Sequence, residues 1–220
     1  LALEAALKAL LIQPGDEVIV TPRSFIASAS SVINVGAKPV FADIDLESGN
    51  LSASTIEPKI TNKTKAIICV HLNGWPCDMD PIIDLAKKKN IYLVEDFDQA
   101  HGAKYKNNSF GSLGDVAAWS FCQDKIMTTG GEGGMLTTNN EQIFKNAWSV
   151  KDHGKTIESM YEKSHPPGFR WVHDKIGSNY RMTEMQAAIG IFQLKNLNNW
   201  VKKRNSFSNK INNLLSNFSY

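Results

Sequence analysis

Several features that mark particular classes of protein are scarce in this chain. Its 220 residues include only three cysteines, Cys69, Cys77 and Cys122. Their odd number and irregular spacing predict free thiols in a reducing cytosol rather than a disulfide framework or a metal site, so we expect a cytoplasmic protein. The longest apolar run, around residues 66–70, is far too short to cross a bilayer, and no membrane partner is expected.

An excess of charge of one sign is also lacking. The chain carries 24 Lys and Arg against 22 Asp and Glu, a net charge of +2, and it has no long basic block. Nucleic acid is therefore not an expected partner. The sequence begins at Leu1, inside a helical pattern rather than at Met, which predicts a fragment without its true N-terminus.

What is present is a regular alternation of strand-like and helix-like segments up to about residue 150. The pattern predicts strands over 17–21, 39–44, 65–71, 91–95, 116–121 and 134–138, and helices over 1–12, 25–35, 55–60, 80–90 and 141–150. This alternation predicts an α/β fold, with a mostly parallel, doubly wound sheet and helices on both faces. Ligands of such sheets lie at the carboxyl ends of the strands.

Beyond residue 150 the pattern changes. Residues 151–180 are rich in Lys, His, Pro and Gly without a clear period, which is typical of a functional or mobile segment. Apolar spacing then resumes and predicts one helix from residue 183 to about 197 and a second amphipathic helix over 200–215.

One acid and one lysine stand at the predicted strand ends. Asp96 directly follows the predicted strand 91–95, and Lys125 lies between a strand-like run and a loop with four glycines at 130–134. This pair is what pyridoxal 5'-phosphate (PLP) chemistry requires, because a lysine carries the aldehyde as a Schiff base and a carboxylate holds the ring nitrogen. The spacing therefore favours a PLP-dependent enzyme.

Neighbouring residues could complete such a site. The Ser120 hydroxyl and the backbone N–H groups of the glycine loop could hold the phosphate, Phe25 could stack on the ring, and Gln99 could bond the ring hydroxyl. Each has a plainer alternative: Asp96 as a helix N-cap, Lys125 as an exposed lysine, Phe25 as a core residue, and the glycines as a hairpin turn. His71, His101 and His153 lack the spacing of metal ligands, and no metal is expected.

The order of several motifs carries further information. They are PGDEVIV (14–20), VGAKPVFADID (35–45), VHLNG (70–74), EDFDQAHGA (95–103), GSLGD (111–115), GEGGM (131–135), DHG (152–154) and GSNYRMTE (177–184). In these motifs and their order, the chain resembles the DegT/DnrJ/EryC1/StrS family, PLP-dependent aminotransferases of nucleotide-linked keto sugars. The resemblance runs almost end to end and implies the large domain of a fold-type I PLP-dependent transferase.

The resemblance implies roles for six residues: Lys125 as the Schiff-base lysine, Asp96 at the pyridine nitrogen, Gln99 by the ring oxygen, Phe25 on the ring face, Ser120 at the phosphate, and Asn179 at the phosphate of the other subunit's cofactor. The role of Asn179 implies a homodimer with shared active sites, in which the 151–180 segment is part of the interface.

Two departures from the family accompany the resemblance. The family's Gly-Thr/Ser phosphate turn and the strand before it would precede Leu1 and are absent, and so is most of the small C-terminal domain. We therefore expect residues 1–182 to form a large domain that is incomplete at its N-terminus, and residues 183–220 to form helices that lead into a truncated small domain. A missing strand would leave an unpaired sheet edge.

The implied function is an aminotransferase that moves an amino group, from glutamate in our expectation, to a nucleotide-diphosphate-linked keto sugar for polysaccharide or secondary-metabolite synthesis. One alternative is a PLP-dependent sugar dehydratase, but that branch of the family replaces the lysine by histidine, and Lys125 is present. Another is an idle or regulatory PLP-binding protein, which the intact Lys125, Asp96 and Gln99 disfavour. A dinucleotide-binding domain is disfavoured because the glycine stretch does not lie between a strand and a helix.

Overall fold

A computed structural model describes residues 1–106, 108–109, 111, 113–161, 164, 173–216 and 218. Within these residues the strands are β1 (Glu17–Val20), β2 (Lys38–Phe41), β3 (Thr64–Val70), β4 (Tyr92–Asp96), β5 (Lys104–Tyr105), β6 (Asn108–Ser109), β7 (Val116–Ser120) and β8 (Gly134–Thr137). The α-helices are α1 (Ala2–Ala9), α2 (Ala27–Asn34), α3 (Ala53–Ile56), α4 (Met79–Lys89), α5 (Glu141–Lys151), α6 (Ile157–Tyr161) and α7 (Glu184–Leu215), and 3₁₀ turns cover Glu57–Lys59 and Leu72–Gly74.

The main sheet has the strand order β2-β1-β3-β4-β7-β8. All neighbouring strands pair in parallel except β7 and β8, which pair antiparallel. The chain passes from β2 on one side of β1 to β3 on the other, so the connection reverses direction between β1 and β3. In open α/β sheets this reversal creates a crevice at the carboxyl ends of the strands, where ligands bind. The mostly parallel, doubly wound sheet is confirmed.

Helices cover both faces of this sheet. One apolar cluster packs the sheet against α1, α2 and α5, and the other packs the opposite face against α3 and α4. The central strand β3 is therefore buried on both faces: Ile68 belongs to the first cluster and Ile67 to the second. A strand that is buried on both faces is apolar at successive positions rather than at alternate ones, which explains the continuous apolar run at residues 66–70.

The C-terminal part differs from the sequence prediction. The two helices expected over residues 183–197 and 200–215 are one continuous helix of 32 residues, α7. Thr183 begins it with a capping box, since its hydroxyl oxygen accepts the backbone N–H of Gln186 and the Gln186 side chain accepts the N–H of Thr183. The prediction of a break was wrong because neither glycine nor proline occurs after Gly190, and the pair Asn198 and Asn199 weakens a helix without ending it.

Two short elements were not predicted from the sequence. A short antiparallel hairpin, β5 with β6, lies in a region for which the sequence predicted no strand. Helix α6 lies inside the irregular 151–180 segment, of which residues 162–163 and 165–172 are outside the described residues. In the described part of the chain, no helix has both the length and the apolar character needed to cross a membrane.

Candidate active site

A cleft opens at the carboxyl ends of β3 and β4, beside the start of α2. It is lined by Ser24, Phe25, Ala27, Ser28, Val70, Asp96, Asp98, Gln99 and Lys125. The parallel pairing places the last residues of β3 and β4 side by side, Val70 opposite Asp96. Four of the six predicted site residues therefore lie around one cleft: Phe25, Asp96, Gln99 and Lys125.

Asp96 is the last residue of β4, and its carboxylate is buried. The Ser28 hydroxyl donates to Oδ2 at 2.9 Å, and the backbone N–H of Asp98 donates to Oδ1 at 3.2 Å. The residues after Asp96 form a turn rather than a helix, so the alternative of a helix N-cap is wrong. These two bonds fix the carboxylate at the inner end of the cleft.

The electrostatics of Asp96 favour a cationic partner. Burial raises the pKa of this carboxyl group above its usual range, while the hydrogen bonds from Asp98 and Ser28 and the charge of Lys125 act in the opposite direction. Among the described residues, none forms an ion pair with Asp96. A buried carboxylate that is bonded only to neutral donors is suited to a positively charged N–H group that enters from the cleft.

Lys125 lies in the long connection between β7 and β8, where its backbone N–H donates to the Cys122 carbonyl oxygen at 3.1 Å. Its side chain is half-buried and lines the cleft with Asp96. The plainer alternative, a fully exposed lysine, does not apply. Because β4 and β7 are neighbours in the sheet, the acid and the amine approach the same cleft from adjacent strand ends.

Helix α7 supports the connection that carries Lys125. The Gln193 side-chain oxygen accepts the backbone N–H of Thr128 at 2.9 Å, and the Gln186 side-chain nitrogen donates to the Glu132 carbonyl oxygen at 2.7 Å. Gly130 has a φ of +88°, and a Cβ there would lie 2.9 Å from an Ile189 methyl group. Glycine at this position therefore allows both the left-handed turn and the close packing of the helix.

Phe25 and Gln99 differ in how firmly they are held. The Phe25 side chain is 68% exposed at the mouth of the cleft, so the alternative of a core residue is wrong. The Gln99 side-chain oxygen accepts the backbone N–H of Asn73 at 2.8 Å. Asn73 has a φ of +56° inside the turn after β3, and this bond therefore joins the turns that follow β3 and β4.

Ser120 and Asn179 are not among the residues that line the cleft. The Ser120 hydroxyl oxygen accepts the backbone N–H of Cys122 at 3.3 Å, at the start of the Lys125 connection. Asn179 is exposed, and its side-chain oxygen accepts Nε–H of Arg181 at 3.1 Å. Their expected roles at a cofactor phosphate stay predictions.

The sequence analysis missed two groups behind and beside Asp96. The first is a fully buried pair, in which His71 Nε2 and Glu95 Oε2 are 3.3 Å apart. The backbone N–H of Cys77 donates to His71 Nδ1, so the ring proton lies on Nε2 and points at Glu95. The second group is Asp98, which lines the cleft. The available signal for the first group was a charged residue, Glu95, inside the otherwise apolar predicted strand 91–95.

His101 is a third buried polar group near the cleft. Its ring lies between Trp119 and Phe121, with ring centroids 5.7 and 5.8 Å away. Burial lowers its pKa to about 4, the Ser120 backbone opposes that change, and the charge of Lys125 lowers the pKa further, so the ring is neutral near pH 7. Within the described part of the chain, no cluster of His, Cys, Asp or Glu suits a metal ion.

Phe97 supports the turn that carries Asp96 and Gln99. Its side chain is fully buried, with its ring centroid 4.4 Å from that of Trp119 and 4.9 Å from that of His71. We expect Phe97→Ala to lower the free energy of unfolding by about 3–5 kcal/mol, because it leaves a cavity beneath the turn. Urea unfolding checks this, with Phe25→Ala as a matched control that shifts the free energy by less than about 0.5 kcal/mol. A loss for Phe97→Ala no larger than the control's would contradict this packing role.

A buried carboxylate, an amine and an exposed aromatic ring line one cleft, and together they fit PLP.

A model of the DegT/DnrJ/EryC1/StrS aminotransferase family matches residues 1–220, the whole chain. The chain belongs to this family. The resemblance in the motif order and the fold-type I architecture are thereby confirmed, since solved aminotransferases of this kind share the same fold.

Individual proteins are similar to this chain over most of its length. GDP-perosamine synthase of Escherichia coli O157:H7 is 45% identical over 203 residues, which cover 92% of this chain and 53% of that protein. The aminotransferase of Psychrobacter cryohalolentis is 57% identical with a TM-score of 0.95, covering 98% of this chain and 55% of the other. DesV of S. venezuelae, solved in complex with a ketimine intermediate, is 34% identical with a TM-score of 0.87, covering 97% and 54%.

The chain therefore spans about half the length of the curated relatives that it matches. This half contains the cleft with Asp96 and Lys125, so the family's matched region and the candidate site coincide.

Proposed function

We propose that the protein containing this chain is a PLP-dependent aminotransferase that moves an amino group from glutamate to a nucleotide-diphosphate-linked keto sugar, in the synthesis of amino sugars for polysaccharides. The observation that carries the proposal is the shared cleft of Asp96 and Lys125 at the carboxyl ends of adjacent parallel strands. Membership of the family and the similarity to a GDP-perosamine synthase support the sugar substrate.

Each residue of the cleft would have a separate role. PLP, when bound, supplies an electron sink for the electrons released at the amino-bearing carbon. The Lys125 amine would hold the cofactor's aldehyde carbon, and once substrate had displaced it, the same amine would move the proton between the amino-bearing carbon and that cofactor carbon. Asp96 would hold the pyridine nitrogen in its protonated form by charge and by hydrogen bond. Phe25 would cover one ring face, and Gln99 would bond the ring oxygen.

We also propose a homodimer with shared active sites, in which Asn179 reaches the cofactor phosphate of the other subunit. Its exposure and its place outside the cleft-lining residues support a role across an interface. In this proposal residues 1–182 belong to the large domain, and residues 183–220 lead into the small one.

A product assay tests the proposed function. The full-length protein is incubated with PLP, with glutamate, glutamine or alanine as donor, and with a panel of GDP-, UDP- and dTDP-linked keto sugars, and nucleotide amino sugars are detected by mass spectrometry. We expect one acceptor to gain an amino group in the presence of glutamate, with 2-oxoglutarate formed in equal amount. An acceptor that instead loses a hydroxyl group as water would favour the dehydratase alternative. No conversion of any acceptor would count against the sugar substrate.

A further inference from the structure

Asp98 is a second carboxyl group in the cleft, and none of the roles described above involves it. It lies between Asp96 and Gln99 in sequence, and it lines the same cleft as Lys125. Its own backbone N–H donates to Asp96 Oδ1 at 3.2 Å, which fixes the turn on which its side chain stands. Across the described residues, no hydrogen bond or ion pair to the Asp98 carboxyl group is formed.

Charges from two elements surround this carboxyl group. Asp96 at the end of β4 and Asp124 in the β7–β8 connection repel its negative charge, while Lys125 in that connection attracts it. Burial is the largest influence and, together with the charge of Asp96, raises the pKa of Asp98 to about 7. The group therefore changes charge in the pH range in which amino transfer would operate, and it does so beside the amine.

We propose that Asp98 is a positioning residue that sets the charge beside Lys125 and thereby controls how strongly the cleft holds a proton on the Lys125 nitrogen. The proposal rests on the proposed function, since it concerns the nitrogen that bonds the cofactor. With Asp98 neutral, Asp96 is the one carboxylate among the described residues that line the cleft. With Asp98 ionised, two carboxylates face it, and the protonated nitrogen is stabilised by the added negative charge.

The first test uses the protein without cofactor or substrate. Asp98 has a raised pKa, so the folded state binds its proton more tightly than the unfolded state, whose value lies near 3.9. The stabilisation is complete below pH 4 and is lost as the pH rises through about 7. We therefore expect Asp98→Asn to gain stability relative to the wild type, by urea unfolding, as the pH is raised from 5 to 8. The exposed Asp84→Asn is the control. A stability difference between Asp98→Asn and the wild type that does not change with pH would overturn the proposal.

The second test is spectroscopic. In the PLP-loaded full-length enzyme, the long-wavelength absorbance of the protonated Schiff base falls as the pH rises. Removing the negative charge in Asp98→Asn should move that fall to lower pH by roughly one pH unit, and Asp98→Glu should restore the wild-type profile. Identical profiles for the wild type and Asp98→Asn would overturn the proposal. A wild-type enzyme that forms no such band contradicts the proposed function instead, and the unfolding test then decides on Asp98 alone.

Discussion

Replacing Lys125 by alanine is expected to abolish covalent attachment of PLP and to lower the rate of amino transfer by at least about 10³-fold. The reason is that one amine serves both as the site of attachment and as the group that moves the proton, and among the cleft-lining residues Lys125 is the one amine. The measurement is mass spectrometry of the protein after borohydride reduction, together with single-turnover kinetics.

The exposed Lys65, on β3, offers a matched control. Lys65→Ala should keep the reduced cofactor adduct and a rate within about twofold of wild type, because the side chain is exposed and is not among the residues that line the cleft. If the Lys125→Ala protein still carried the adduct, the attachment site would lie elsewhere in the chain and the cleft would lose its proposed role.

Replacing Asp96 by asparagine is expected to have opposite effects on activity and on stability. Asparagine keeps the size of the side chain and can still accept the Ser28 hydroxyl, but it removes the negative charge. The rate of amino transfer should fall on the order of 10²–10³-fold, because the charge that stabilises the protonated pyridine is lost. The free energy of unfolding of the cofactor-free protein should stay equal or rise, because a buried carboxylate without an ion pair is costly.

The stability gain of Asp96→Asn should depend on pH in a definite direction. Burial raises the pKa of Asp96, so its contribution to stability declines as the pH rises above the usual range of a carboxyl group. The stability gain of Asp96→Asn should therefore be larger at pH 8 than at pH 5. A protein that loses stability and activity together at both pH values would indicate that Asp96 is structural. Ser28→Ala, which removes one hydrogen bond and leaves the charge, should cost far less activity.

Local patterns were sufficient to predict much of the fold. The β3 segment is apolar at consecutive positions because both faces of the sheet are covered, and this is a signal that sequence carries directly. The hairpin β5–β6 was not predictable in this way, since strands of two residues carry no period. The continuity of α7 was missed for another reason. Asn198 and Asn199 are weak helix formers, but no glycine or proline follows Gly190 to end the helix.

The candidate site, like the fold, could be predicted from the sequence only in part. Asp96 and Lys125 could be proposed from sequence, because an acid and a lysine at strand ends are the two groups that PLP chemistry requires. Asp98 could not, since a carboxylate two residues after a strand is an ordinary turn residue. The charges that surround its carboxyl group come from β4 and the β7–β8 connection, which meet only in the folded chain.

The most direct test is an absorbance spectrum of the full-length protein with PLP, followed by glutamate, borohydride and peptide mapping. We expect a visible band that glutamate bleaches, and a reduced cofactor adduct on the peptide that contains Lys125 when borohydride is added before glutamate. Absence of the band, or an adduct on another lysine, would contradict the assignment of this cleft to PLP-dependent amino transfer.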